Sequence, residues 1–121
     1  MERFSWIHLG QYDCLIQDFS DGKPEELKNW IEESHHQLAS HGKRKKIIVI
    51  TNIENLKFDK ETTHLLSHFA EKNKPFVTKS SMYGTNVYHK VAIDSISKIT
   101  GRDFLLFKDK DEALKWIDTL L

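Results

Sequence analysis

The last third of the chain, residues 73–117, constrains the fold more than any other feature of the sequence. It carries the signals of a helix end, a strand, a glycine loop, a helix, a strand and a final helix, with short connections between them. Such alternation is typical of an open α/β sandwich, and right-handed crossovers make its later strands parallel. The same segment holds no nucleophile motif, metal-ligand cluster or phosphate-binding loop. It therefore predicts a fold class without predicting a reaction.

The balance of charges argues against nucleic acid as a partner. The 121 residues include 18 Lys and Arg and 18 Asp and Glu, for a formal net charge of zero. Nucleic-acid binders usually carry a basic excess, because neutralising phosphates supplies much of their affinity. The longest basic run, residues 43–46, follows a helix end, where positive charge suits the helix dipole, so we interpret it as a solvated turn. The length fits one compact domain over residues 1–121.

Cysteine usage and hydropathy predict a cytoplasmic protein. Cys14 is the single cysteine, so an intramolecular disulfide cannot form, and its apolar strand context predicts a core residue. Residues 1–6 lack the apolar core of a signal peptide. The longest apolar runs, four residues each at 47–50 and 104–107, are far shorter than a membrane span requires.

The first half of the chain predicts a hairpin, a helix and a central strand. Residues 4–9 and 12–19 have strand patterns, and the two-residue link between them favours antiparallel pairing. Pro24 suits the first turn of a helix that ends near His41 and Gly42. The predicted apolar stripe of this helix is Leu27, Trp30, Ile31, Ser34 and Leu38. Residues 47–50 are continuous and β-branched, which indicates a strand buried on both faces.

The next helix and strand are bounded by capping and breaking residues. Asp59 is suited to cap the helix, and Asn73 ends it because Pro75 prevents continuation. The predicted core face of this helix is Thr62, Leu65, Leu66 and Phe69. Residues 76–82 then predict a strand that Gly84 interrupts.

The final segment predicts a helix, a strand and a helix. Thr85 or Asn86 caps the first helix, and Gly101 closes it. The apolar face predicted for this helix is Tyr88, Val91, Ala92, Ser95, Ile96 and Ile99. Residues 104–107 form the last strand. Asp109 and Glu112 resemble a capping box before a helix whose predicted buried residues are Ala113, Trp116, Ile117 and Leu120.

With these elements in place, the chain resembles the SpoIIAA-like superfamily, which contains the STAS domains of anti-sigma-factor antagonists. More narrowly it is similar to small stand-alone bacterial STAS/SEC14-type proteins. The matching segments are residues 47–52 followed by Phe58, residues 69–77, residues 79–84 and residues 107–116. The resemblance implies a mostly parallel sheet of four to five strands with an N-terminal hairpin and four flanking helices.

One departure from the family pattern bears on regulation. Regulatory STAS domains carry a phosphorylatable Ser or Thr at the start of the helix after the central strand. Residues 52–61 here contain neither Ser nor Gly, and Thr62 and Thr63 are the hydroxyl residues near that helix start. The periodicity gives Thr62 a core-facing role. We therefore expect a module that phosphorylation does not switch.

Seven histidines invite a metal hypothesis. His64 and His68 have the four-residue spacing of some zinc sites, but a third ligand and the Glu of a metalloprotease helix are missing. At 100° per residue the pair points away from the predicted core face, so we expect both in solvent and no metal. His89 precedes Lys90 on a predicted exposed arc, and we expect it at the surface too.

A hydrolase interpretation is also weak. A nucleophile elbow needs glycines flanking its serine in a tight turn between strand and helix. Ser80 and Ser81 lie within Lys-Ser-Ser-Met, which lacks both glycines, so they are better interpreted as alternating strand positions. No pairing of a nucleophile with a base is visible, so we expect neither an enzyme nor a cofactor.

The candidate binding site follows from topology instead. In open α/β sheets, ligands bind beyond the carboxyl ends of the strands. The residues predicted to form this site are Thr51, Asn52, Phe58, Tyr83, Gly84, Thr85 and Asn86. The free N–H groups at residues 85–87 suit either an anion or plain helix capping, and both alternatives stay open.

These observations lead to two functional hypotheses. The first is a non-enzymatic regulatory or protein-binding module that works through residues 52–58 and 83–86. The alternative, implied by SEC14-type relatives, is a small apolar-ligand or lipid-handling domain, although the chain has no spare helices to enclose a lipid. A homodimer through Phe4 and Trp6, or through Trp30, competes with simple core packing of these aromatic residues.

Overall fold

The computed structural model describes residues 2–41 and 46–121. Its elements alternate as the sequence predicts. Their bounds are β1 (Phe4–Leu9), β2 (Tyr12–Asp18), α1 (Pro24–Ser40), β3 (Lys46–Asn52), α2 (Lys60–Asn73), β4 (Lys79–Tyr83), α3 (Val87–Thr100), β5 (Phe104–Phe107) and α4 (Lys110–Asp118). None of the helices in these two segments is long and apolar enough to cross a membrane.

The five strands form one sheet in the order β1-β2-β3-β4-β5. Strands β1 and β2 pair antiparallel, whereas β2 to β5 run parallel. Strand β3 lies at the centre, which explains why residues 47–50 are continuously apolar and buried. The predicted α/β architecture, with its N-terminal hairpin, mostly parallel sheet and four helices, is confirmed.

Helices cover the two faces of the sheet unequally. One face packs against α1, α2 and α3 through a cluster that includes Leu27, Leu66 and Ile93. The other face packs against α4, where Ala113 and Ile117 meet the opposite side of the sheet. Each large aliphatic side chain removed from water contributes about 1.5–3 kcal/mol, so both layers hold the sheet.

Several element boundaries differ from prediction. Strand β2 ends one residue early at Asp18. Strand β4 begins at Lys79 rather than Phe76, because the preceding residues make a turn and reach β3 only through the bond from Thr78 N–H to Ile47 O, 2.8 Å. Helix α1 ends at Ser40 with His41 as its C-cap. The predicted stop at Gly42 and the basic run through residue 45 lie outside the described residues.

Helix α3 is rotated relative to the predicted face, of which Ile96 is buried and Ala92 is half-buried. Its buried residues are His89, Ile93, Ile96 and Thr100. Tyr88, Val91 and Ile99, predicted to be core, are exposed. Two polar side chains, Thr100 and His89, are buried instead, because each makes hydrogen bonds within the fold. The Thr100 hydroxyl donates to Ile96 O at 2.8 Å, and both His89 ring nitrogens are hydrogen-bonded.

The predicted caps of α2 and α4 are confirmed, except that the capping box predicted for α4 forms only in part. Asp59 accepts a bond from Thr62 N–H at 2.7 Å, and its helix buries Thr62 as predicted. Asp109 accepts from Glu112 N–H. The Glu112 carboxylate, however, accepts from Lys108 N–H at 3.3 Å rather than from the Asp109 backbone, so the reciprocal half of a capping box is not formed there.

Cys14 is a core residue, as predicted, with no exposed surface. Burial raises the pKa of its thiol to about 12. Since the thiolate is the reactive form, this cysteine is chemically inert in the folded chain.

Candidate functional site

The candidate site lies along the carboxyl edge of the parallel strands, and we call residues 52–58 and 83–86 the rim. Backbone hydrogen bonds tie neighbouring loops of this edge together. They run from Phe19 N–H to Asn52 O (2.9 Å), Asp21 N–H to Glu54 O (2.9 Å), Ile53 N–H to Tyr83 O (3.0 Å) and Gly84 N–H to Lys108 O (3.2 Å). Because these hydrogen bonds already hold the loops in place, the rim loses little conformational freedom when a partner binds to it.

Gly84 brings the two halves of the rim into contact. Its φ of +77° is left-handed, and a Cβ built on it would lie 2.9 Å from the backbone nitrogen of Glu54. Only glycine meets both requirements without strain. The next residue secures the loop to β5, because the Thr85 hydroxyl donates to Phe107 O at 2.9 Å.

Asn86 and His89 form a reciprocal cap at the start of α3. Asn86 Oδ1 accepts from His89 N–H at 2.9 Å, and His89 Nδ1 accepts from Asn86 N–H at 3.3 Å. His89 Nε2 then lies 2.6 Å from Leu56 O. Because Nδ1 accepts, Nε2 must donate, and the ring is the neutral Nε2–H tautomer. The geometry shows helix capping here.

His89 is thus a correction to the sequence prediction. It is 3% exposed, not a surface residue, and it links the cap of α3 to the loop before α2. The signal that could have found it is its position three residues after Asn86, where a capping box places a side chain that returns to the N-cap backbone.

Thr51 belongs to the interior rather than to the rim surface. Its side chain lies on the side of the sheet that α1, α2 and α3 cover. It is 5% exposed and accepts a hydrogen bond from Gln17 Nε2 at 2.9 Å. Gln17 Oε1 in turn accepts from the Ser34 hydroxyl of α1 at 2.5 Å. Alternation along β3 turns Thr51 inward and leaves Asn52 at the edge. Thr51 therefore connects α1 to the sheet.

Asn52 and Tyr83 end neighbouring strands in register. Asn52 Oδ1 accepts from Glu54 N–H at 3.0 Å and shapes the loop. Tyr83 is half-buried, and desolvation, with smaller effects from the Asp18 and Glu54 carboxylates, raises the pKa of its phenol. At neutral pH this hydroxyl is protonated, so it can donate a hydrogen bond to a partner but cannot act as a base.

The Phe58 side chain lies between the rim and the surface grooves beside α2 and α3. Its ring lies 5.2 Å from the His89 ring at 60°. It also lines two open grooves, one of about 610 Å³ near Asn86 and Tyr88 and one of about 630 Å³ near His64 and Ile99. A partner that contacts the rim loops therefore has apolar surface beside it.

The sequence interpretation missed an exposed apolar stripe on α3. Its members, which we call the α3 stripe, are Val87, Tyr88, Val91 and Ile99, with 78%, 84%, 70% and 70% of their surfaces exposed. The available signal was that α3 carries apolar residues on two faces, since Ile93, which the predicted face left out, lies three residues before Ile96 at helical spacing. Only one of the two faces packs against the rest of the fold. His89, which caps α3 and points inward, lies on the face that is buried.

The histidines do not assemble a metal site in the part of the chain that the structure describes, where no group of three or more His, Cys, Asp or Glu could hold a metal. His64 and His68 are exposed, as predicted. His8 and His41 instead flank the buried Asp13 carboxylate at 2.5 and 2.7 Å, and His41 stacks on Trp6. This arrangement fixes the end of α1 against the hairpin.

A cavity between the sheet and the helices measures about 30 Å³. Pockets for small molecules are usually about 300–1,000 Å³. The walls include Phe19, Phe69 and Met82, so the space suits at most a very small apolar guest. A lipid chain does not fit into this cavity.

No protein-family model matches the sequence, and no curated protein matches it. Among solved structures, the fold is similar to that of a substituted form of RsbS from Moorella thermoacetica. The TM-score is 0.56 at 14% sequence identity, over 98% of this chain and 97% of that chain. At this identity the likeness concerns the fold, and it confirms the SpoIIAA-like, or STAS, architecture that the sequence resemblance implies.

Proposed function

We propose that this chain is a STAS-like regulatory module that binds a partner protein through the rim and catalyses no reaction. The observation that carries the proposal is the rim itself, whose loops are locked by backbone hydrogen bonds while Glu54, Asn55 and Lys57 remain exposed. Preorganised loops bind with little ordering cost. The similarity in fold to RsbS supports a regulatory role.

Three groups that could do chemistry, two at or beside the rim and one in the core, are each engaged or inert. Both nitrogens of the His89 ring are bonded to backbone groups. The raised pKa of Tyr83 keeps its phenol protonated. Cys14 is buried with a pKa of about 12. A nucleophile needs a base within hydrogen-bond reach, and none of these three groups offers one.

The same loop argues for a module that phosphorylation does not switch. Residues 52–59 contain no Ser or Thr. Thr62 is buried in the core face of α2, and the Thr63 hydroxyl is 3.4 Å from Phe58 O. A kinase would have to unwind the first turn of α2 to reach Thr62. We infer that binding at the rim is constitutive or is controlled on the partner's side.

Affinity capture followed by calorimetry tests this proposal. The tagged chain is compared with a Glu54→Lys variant, which reverses an exposed rim charge, and with Leu121→Lys, a control at an exposed residue outside the rim. Each captured protein is purified, and its affinity for all three chains is measured. We expect Glu54→Lys to weaken binding about tenfold or more and Leu121→Lys to leave it unchanged.

Two results would count against the proposal. Equal affinity of a partner for the wild-type and Glu54→Lys chains would mean that the partner binds elsewhere on the chain. A turnover that Tyr83→Phe abolishes would make the chain an enzyme. The lipid-handling alternative has weaker support because the interior cavity is about 30 Å³, and a lipid bound in native mass spectra would revive it.

A further inference from the structure

His8, Asp13 and His41 form a hydrogen-bonded cluster at the edge of the sheet opposite the rim. His8 lies near the end of β1 and pairs with Asp13, the second residue of β2, in the register of the hairpin. The Asp13 carboxylate is held from two sides, by His8 Nδ1 at 2.5 Å and by His41 Nε2 at 2.7 Å. Asp13 is 6% exposed, whereas the His8 side chain is 67% exposed. The cluster therefore reaches from the interior to solvent.

The inner side of the cluster is anchored within the fold. The His41 ring stacks on Trp6, with the ring centroids 3.8 Å apart and an interplanar angle of 3°. The Trp6 indole N–H donates to Gln37 Oε1 on α1 at 2.9 Å, so Trp6, considered above as a dimer contact, packs within the chain. Because His41 is held in this way, the carboxylate that it binds is held too, and this carboxylate orients the His8 ring.

The hydrogen bond to Asp13 determines which nitrogen of His8 can react. An ionised carboxylate only accepts hydrogen bonds, so His8 Nδ1 must carry the proton. In the neutral ring, Nε2 then carries the lone pair. Among the described residues Nε2 has no hydrogen-bond partner, and the exposure of the side chain opens it to solvent. A carboxylate at Nδ1 also stabilises the positive charge that the ring acquires when Nε2 forms a new bond.

Three roles are open to such an imidazole, and two of them need further groups. A metal ion needs about three or four ligands, and residues 2–41 and 46–121 contain no group of three that could provide them. A general base needs a nucleophile beside it, but within the same segments the side-chain hydrogen bond of His8 goes to Asp13. A phosphoryl acceptor needs neither, because a donor protein brings its own catalytic groups to the exposed nitrogen.

We propose that His8 is a phosphorylation site, whose Nε2 accepts a phosphoryl group from a donor with a phosphorus–nitrogen bond, such as a phosphohistidine of another protein. The Nε2 lone pair attacks phosphorus, and the new bond forms as the bond to the leaving nitrogen breaks. The leaving group takes the electron pair of that bond. The Nδ1 proton stays between the ring and Asp13, so the product is an imidazolium paired with a carboxylate. The bonds formed and broken are of one kind, and the transfer needs no other source of energy.

This site is separate from the rim. His8 lies beside the amino ends of the parallel strands, whereas the rim lies at their carboxyl ends. His8 is a substrate of the transfer, so the inference adds no catalysis to the chain. It also differs from the Ser or Thr switch of regulatory STAS domains, since residues 52–59 contain neither residue. The inference does not rest on the proposed function.

Labelling of the whole folded chain with potassium phosphoramidate tests the proposal. This small donor carries a phosphorus–nitrogen bond, loses ammonia as its leaving group and reaches every exposed histidine. The exposed His36, His64 and His68 are internal controls. Tandem mass spectrometry of samples kept out of acid follows the phosphorylation of each histidine over time. We expect His8 to be labelled about tenfold or more faster than the three controls, because its ring is oriented and its developing charge is stabilised.

Two variants separate the acceptor from the group that orients it. His8→Gln removes Nε2 at an exposed position and should lose the fast phase of labelling, while the three control histidines keep their wild-type rates. Asp13→Asn keeps the size of the side chain but removes its charge, and should slow the labelling of His8 to about the rate of the controls. Circular dichroism checks that both variants fold. His8→Gln keeps the test decisive even if Asp13→Asn does not fold.

Three results would overturn the proposal. The first is labelling of His8 no faster than that of the three control histidines. The second is a fast phase that persists in His8→Gln, which would place the acceptor at another residue. The third is labelling of His8 in a folded Asp13→Asn chain as fast as in the wild type, which would show that the carboxylate does not assist the transfer.

Discussion

The Arg102 guanidinium and the Ala70 carbonyl join the segment after α3 to the end of α2 by a hydrogen bond of 3.0 Å. Arg102 also donates to the Ser80 hydroxyl on β4 and lies over the Phe104 ring. A second hydrogen bond runs in the opposite direction: Lys74 Nζ, just after α2, donates to Thr100 O at the end of α3 at 3.2 Å. Each helix thus receives a cation at its negative C-terminal end from the residues that follow the other.

Replacing Arg102 with Leu should destabilise the fold. The change leaves the Ala70 carbonyl and the Ser80 hydroxyl without their charged donor, which costs about 1.5–3 kcal/mol. Part of this loss is offset because a desolvated cation, whose burial lowers the Arg102 pKa, is removed. We expect a net loss of about 1–2 kcal/mol in urea unfolding.

Lys115→Ala is the matched control for that measurement, because Lys115 is an exposed cation on α4. It should change the free energy of unfolding by less than about 0.5 kcal/mol. Equal effects of the two substitutions would mean that Arg102 has no capping role.

Gly84→Ala should be more costly than Gly10→Ala. Both glycines have positive φ, +77° and +58°, so alanine at either position costs about 1–2 kcal/mol in the backbone. At Gly10 the added Cβ meets Leu121 at an ordinary 3.7 Å, whereas at Gly84 it meets the Glu54 backbone at 2.9 Å. Thermal and urea unfolding of both variants measure the difference, and equal losses would show that the two rim loops are not in close contact.

Ser81→Ala should stabilise the chain. Ser81 Oγ is a buried side-chain oxygen without a hydrogen-bond partner among the described residues. Removing an unsatisfied buried hydroxyl gains up to about 1 kcal/mol. Ser80→Ala is the neighbouring control and should lose a similar amount, since its hydroxyl accepts from Arg102. A loss of stability in Ser81→Ala would show that the hydroxyl has an unseen partner.

The Cys14 thiol should make the fold less stable at alkaline pH. Its pKa is raised from the ordinary 9.0 to about 12 by burial. The unfolded chain therefore releases this proton first, and the stabilisation, complete below pH 9, is lost as the pH rises towards 12. Urea midpoints at pH 8 and pH 10 should differ less in Cys14→Ala than in the wild type. An equal pH dependence in both chains would contradict a buried thiol.

The sequence predicted the architecture because strand and helix signals were local. Residues 47–50 indicated a central strand because they are continuous and β-branched. Asp59, the pair Thr85 and Asn86, and Gly101 marked helix ends by chemistry that acts within a turn, and the structure assigns the α3 cap to Asn86. Orientation was harder to predict. The direction of Thr51 depends on Gln17 and Ser34, which are far away in sequence.

The buried face of α3 failed to be predicted for the same reason. Apolarity favoured Tyr88, Val91 and Ile99 as the core face, but His89 turns inward to reach Leu56 O, 33 residues away. A neutral imidazole with both nitrogens bonded can be buried at little cost. The periodic pattern on one helix cannot reveal such a partner. Of the predicted rim, Asn52, Phe58 and residues 83–86 do lie together at the strand ends.

The most direct test of the rim as a binding surface is an NMR titration of the ¹⁵N-labelled chain with its purified partner. We predict that the backbone amide shifts that change most belong to residues 52–58 and 83–86, with smaller changes along the first turn of α3. Changes concentrated on α4 and the sheet face beneath it, with the rim amides unmoved, would contradict the account.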